Sequence, residues 1–164
     1  MIRHDLALIA VLTLASATYA DENSAKLSDA VKSAKVSLET ALRASEREGK
    51  PISGKYELED GKLQLSVYTV KSAKFYEVTI DHTTGKIAKA EEITSGDDLT
   101  AAKEQSAAMA HAKRSLRQAV KDAQKAHKGF RAISVVPELK ASHPIAAIIL
   151  SKDHKTLTAI EKLD

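Results

Sequence analysis

Between Leu27 and Glu48 the apolar positions Leu27, Val31, Ala34, Leu38, Ala41 and Leu42 recur at spacings of three and four, the period of one helical face. Gly49 and Pro51 close the pattern, since glycine accepts the left-handed backbone that ends a helix and proline cannot continue one. The period then shortens to two. ISGKYELED, KLQLSVYTVK and KFYEVTIDH alternate and are rich in Tyr, Val, Ile and Thr, with Asp60-Gly61 and Ser72-Ala73 between them. They predict three antiparallel strands, and KIAKAEEI after Gly85 predicts a fourth.

A polar joint, TSGDDLT from Thr94 to Thr100, separates this half from another of the same order. Met109, Ala112, Leu116, Ala119, Val120 and Ala123 line one face of a helix that runs to about Lys128-Gly129. FRAISVVPEL, HPIAAIILSK and KTLTAIEKL then read as short strands. Shifted by 78 residues, Ser37, Leu38 and Ala41 fall on Ser115, Leu116 and Ala119; shifted by 70, Val78, Ile80 and Ile87 fall on Ile148, Leu150 and Leu157. The pattern predicts a repeated unit. AISVV and IAAIIL are apolar on both faces, so these strands are expected to be covered twice, by their own helix and by the first unit, a second protomer or a partner.

The predicted class is α+β: two tandem units, each an α-helix packed on a 3–4-stranded antiparallel β-sheet and packed against each other. The first unit is placed at 21–96 and the second at 97–164. Residues 1–20 carry a basic start, an apolar run from Leu6 to Ala17 and small residues at Thr18 and Ala20. They read as a cleavable signal peptide, too short for a membrane span, which predicts a periplasmic protein that does not span the membrane after cleavage.

The chain has no cysteine, so disulfides and thiolate metal sites are excluded. The net charge is +3, and two Phe, four Tyr and no Trp leave little to stack bases, so nucleic acid is not an expected partner. There is no G-x-S-x-G, no H-E-x-x-H and no glycine loop for phosphates, and no enzyme activity is expected.

The order of elements and the phrase YEVTIDHTTGKI resemble the PepSY family, through Tyr76, Val78, Ile80, Asp81, Thr84, Gly85 and Ile87. The resemblance covers Leu27 to Ile93 and continues more weakly over Leu99 to Leu163, where Ser151 stands for Asp81 and Lys155 for Gly85. It implies an extracytoplasmic, non-enzymatic module of the kind found in peptidase propeptides, membrane proteins and small periplasmic proteins. Two roles are implied: inhibition of peptidases and, for tandem members, binding of metals including lanthanides. With no catalytic domain after Asp164, inhibition is expected to act in trans.

Strand alternation places Glu57, Glu59, Glu77 and Asp81 opposite the face of Tyr56, Leu58, Tyr76, Val78 and Ile80. With Asp60 at the adjacent turn and Asp97 and Asp98 in the joint, these carboxylates are the candidate ligands of a hard cation, calcium or a lanthanide, which takes six or more oxygens. The same residues, interleaved with Lys55, Lys71 and Lys74, also fit the solvated face of a sheet. Asp98 fits a helix start equally well. His111 and His127 are expected on one helix, on opposite sides of it, and His82, His143 and His154 at turns. The two functions that follow are a cation-binding protein and an inhibitor or regulator of an extracytoplasmic peptidase or sensor that works through protein contacts.

Overall fold

The helical pattern that begins at Leu27 is broken in three dimensions. A first helix, α1 (Leu12–Lys32), stops, and the apolar face resumes in a short helix, α2 (Leu38–Ser45). The break has a local cause. Ser37 caps α2 by accepting a hydrogen bond from the Thr40 N–H at 3.1 Å, while the Lys35 and Val36 N–H groups both donate to the His82 carbonyl, at 2.9 and 3.0 Å. Those two donors would otherwise face the end of a helix unpaired. This computed structural model describes residues 12–164, with side chains from Glu22 onward; residues 1–11, and with them much of the predicted leader, lie outside it.

A four-stranded meander follows: β1 (Lys50–Glu59), β2 (Lys62–Lys71), β3 (Lys74–Ile80) and β4 (Ile87–Ile93). The second half begins with α3 (Gly96–Ala110) and α4 (Leu116–Ala126) and ends with β5 (Arg131–Lys140), β6 (His143–Lys152) and β7 (Lys155–Lys162). The single helix expected across Met109–Ala123 is therefore two. His111 caps the end of α3 and His127 that of α4, so the two histidines sit on different helices.

The α+β class holds, with one seven-stranded antiparallel sheet in the order β4-β3-β2-β1-β5-β6-β7. The two meanders do not pack face to face. They join edge to edge through β1 and β5, at Gly54↔Val135 and Lys55↔Ser134. Gly54, Val67 and Val78 form one cross-strand row; Val135, Ile148 and Ala159, each 81 residues later, form the continuing row. The shift of 70 is thereby corrected: β7 stands where β3 stands, β6 where β2 stands, and β4 has no counterpart. The helix shift of 78 is kept, because Ser115 caps α4 as Ser37 caps α2, and the Lys113 and Arg114 N–H groups share the Leu163 carbonyl as Lys35 and Val36 share that of His82.

Helices α2 and α4 lie side by side on one face of the sheet, over Leu65, Val67, Val78 and Ile80 on one side of the seam and Val135, Ile148 and Leu150 on the other. Burying side chains of this size stabilises by about 1.5–3 kcal/mol each. Helix α3 covers the opposite face at the seam, where Gln105 meets Ser53 at 2.6 Å. The second cover of the apolar strands is thus a helix of the same chain. On these strands Ile133 and Ile145 are both 6% exposed, while Ile149 and Ile160 stay at 38% and 52%. The hairpin turns Asp60-Gly61, Ser72-Ala73, Ala141-Ser142 and Asp153-His154 all have φ between 46° and 75° at both positions. This left-handed geometry matches the twist of the flanking strands and costs the non-glycine residues some strain.

Candidate functional site

The candidate carboxylates fall into two groups. Residues alternate across the sheet, so Glu57 on β1, Gln64, Ser66 and Tyr68 on β2, Glu77 on β3 and Glu91 on β4 share the face that α3 partly covers, away from α2. Tyr68 is at the centre. Burial pushes its phenol far above the ordinary tyrosine value, and the charges of Glu77, Glu57 and Asp98 push it further. Glu77 accepts hydrogen bonds from Ser66 at 2.8 Å and Gln64 at 3.4 Å. Glu57 pairs with Lys55 at 2.6 Å, and Lys55 also lies 5.8 Å over the Tyr68 ring. Asp98, in the first turn of α3, brings a third carboxylate to this point, beside a 220 Å³ cleft between α3 and the sheet.

The second group is at the end of the sheet. Glu59, Asp60 and Asp81 line a shallow groove of about 430 Å³ with Lys62 and His82. Asp97 is exposed in the first turn of α3. The seven residues therefore do not form one site. Among the described residues no three His, Asp or Glu side chains come together in a way that could hold a metal ion. As placed, Glu57 is bound to Lys55, and Glu77 to hydroxyl and amide donors.

Asp81 is the residue that closes the YEVTIDHTTGKI corner. One of its carboxylate oxygens accepts from the Thr83 and Thr84 N–H groups, at 2.8 and 2.9 Å, and its carbonyl accepts from Gly85 N–H at 2.8 Å. The bonds from Thr84 and Thr83 hold the Asp81 carboxyl below its ordinary value. The stability this gives is present above the unfolded carboxylate value and is lost as pH falls through the lower, folded one. Asp81→Ala is expected to speed amide exchange at Thr83 and Thr84 and to flatten the acid limb of the stability profile. Asp81→Asn, which retains an acceptor oxygen, is expected to keep the turn while losing the pH dependence; exchange unchanged in Asp81→Ala would refute this role.

Three structural contacts carried no sequence signal. His82 acts through its carbonyl, which holds the start of α2. Arg131 reaches back from β5 and donates to the carbonyls of Val31 (3.1 Å), Ala34 (2.9 Å) and Val36 (2.7 Å), with its guanidinium 5.4 Å over the Tyr56 ring. Tyr56 donates to the same Val36 carbonyl. An isolated arginine in an apolar strand shows none of this in one dimension.

With this geometry in hand, residues 35–91, from the start of α2 through most of β4, match the family described as PepSY, peptidase propeptide and YPEB domain. Over that span the chain is similar to a PepSY domain. Its core is α2 packed on β1 to β4, and the Asp81 turn lies inside the matched span. No curated protein matches the chain. A solved structure from Clostridium difficile 630, described as a "putative lipoprotein", is similar over 73% of this chain and 79% of its own, at 14% identity and a TM-score of 0.42. Among the described residues no helix is long and apolar enough to cross a membrane.

Proposed function

We propose that this protein is a non-catalytic, extracytoplasmic PepSY protein that works through protein contacts, as an inhibitor or regulator of a peptidase or sensor. The observation that carries this reading is the pairing of the acidic face: Lys55–Glu57 at 2.6 Å, Lys89–Glu91 at 2.7 Å and Ser66–Glu77 at 2.8 Å. Lysine and hydroxyl partners satisfy these carboxylates, as on a sheet face that meets water or a partner. The PepSY match to residues 35–91 supports the same reading. In it, residues 97–164 form a second, divergent unit of the same plan.

A hard cation, calcium or a lanthanide, is the second reading. One observation favours it: Glu57, Glu77 and Asp98 all act on the Tyr68 hydroxyl. It requires Lys55 to release Glu57.

The test uses the protein without its leader, immobilised and exposed to periplasmic extract. One extracytoplasmic peptidase or sensor is expected to be retained, to be released by free protein and to change activity on binding. In parallel, calcium and lanthanum are titrated by calorimetry. Native-state binding raises the melting temperature, so heat with a rise would select the cation reading, and no specific retention would remove the first.

A further inference from the structure

The repeated plan allows the connections before α2 and α4 to be compared position by position, 78 residues apart in the helices and 81 in the strands. Before α2, Arg131 fills the space beneath three carbonyls, and Phe130 precedes it. Before α4, Lys50 holds Arg131's place and its ammonium donates to the Met109 carbonyl at 3.2 Å, the counterpart of Val31. Gly49 stands where Phe130 does. It cannot carry a side chain, because its φ is +149° and a Cβ would lie 2.7 Å from the Val70 carbonyl oxygen. A cleft of about 350 Å³ lies here, between the end of α2 and the α3–α4 connection, against one of about 250 Å³ beside Arg131 at the other connection.

The floor of this cleft is apolar, made by the partly exposed Pro51 and Ala112, with Leu42, Met109 and Leu116 buried beneath them. Its rim carries Lys50, Lys113, Arg114 and Arg117 against one acid, Glu46. Arg114 is engaged, with Asp122 at 2.6 Å and the Lys162 carbonyl at 2.5 Å. Arg117 is only loosely held, 3.9 Å from Glu46, and among the described residues Lys113 has no carboxylate within 4.0 Å. Arg117 also takes the position that Glu39 holds in the first half, so the charge at this place is reversed between the two connections.

We propose that this cleft receives an acidic segment of a partner protein, in which a glutamate or aspartate neighbours a side chain of leucine or phenylalanine size. The apolar group packs on Pro51 and Ala112, above the buried Met109, and the carboxylate meets Lys113 and Arg117. An apolar floor under a rim with a charge excess selects both properties in one ligand. This rests on the protein-contact reading above and specifies where the contact is made.

The probe is a blocked peptide, acetyl-Glu-Leu-Glu-Phe-amide, with its glutamine counterpart as control, added to protein labelled at the methionine methyls. The chain has two methionines, Met1 and Met109. A saturable shift of the Met109 methyl is expected, about tenfold weaker with the glutamine peptide, the loss of one charge-assisted contact. Reversing Lys113 and Arg117 together to glutamate is expected to abolish it, with melting unchanged because both side chains reach solvent. Equal binding of the two peptides, no Met109 shift, or full binding by the reversed variant would overturn the proposal. A reversed variant that still retains the periplasmic partner would overturn the cleft and leave the proposed function standing. Peptide binding at Met109 with no partner retained would support the cleft and remove that function.

Discussion

Replacing Arg131 by alanine is expected to destabilise the protein by about 3 kcal/mol, the cost of withdrawing a charged donor from several partly buried acceptors. Arg131 belongs to β5, yet its bonds go to Val31, Ala34 and Val36, about a hundred residues earlier, and to the Tyr56 hydroxyl at 3.0 Å. It ties the second half to the entry of α2. In a protein of this size 1 kcal/mol moves the melting temperature by about 2–4 °C, so a fall of roughly 10 °C is expected. Lys50→Ala, at the corresponding position with one bond to Met109, is expected to cost about 1 kcal/mol or less. Thermal melts of the two variants decide the matter: similar, small shifts would mean that Arg131 does not lock the halves together.

Leu38→Ala is expected to cost about 2–5 kcal/mol, the range for a leucine cut back in a core. Leu38 is 1% exposed and opens α2 over the seam of the sheet. A Cβ added to Gly54 would lie 3.2 Å from Leu38 Cδ1, so helix and strand approach as closely as they do because Gly54 has no side chain. The two positions should therefore couple. Gly54→Ala alone is expected to destabilise by crowding Leu38, whereas in the Leu38→Ala background it should restore part of the loss by filling the void. Denaturant unfolding of both single variants and the double variant measures that coupling. Additive losses would show that α2 and β1 are not in the contact described.

Much of the local structure was legible along the chain because it depends on near neighbours. The strands β1 to β3, their two-residue turns and the buried face Leu38, Ala41, Leu42 follow from periodicity and turn chemistry. The breaks ahead of α2 and α4 were not legible, since spacings of three and four continue through Ala34 and Ala112. They are set by the His82 and Leu163 carbonyls, far along the chain. The hairpin shift of 70 was misleading for a similar reason. Val78, Ile80 and Ile87 match any strand pair of the same rhythm, and only the cross-strand rows show that the repeat runs at 81.

The candidate site divides in the same way. Alternation put Glu57 and Glu77 on one face correctly, and the turn pattern brought Asp60 and Asp81 to the end of the sheet. Pairing could not be read, because whether a lysine neutralises a carboxylate depends on side-chain reach across strands. Lys55 beside Glu57 and Ser66 beside Glu77 are outcomes of register.

By itself the sequence determined the class of elements, their repeated order, the cysteine-free chemistry and the face on which the acids stand, all consequences of spacing within a few residues. The tertiary structure alone decided that two meanders make one sheet, that Arg131 binds three carbonyls at one connection and that Lys50 binds one at the other. Those depend on which distant backbone and side-chain groups meet, and hydrogen-bond partners and free volume exist only once the chain has closed on itself.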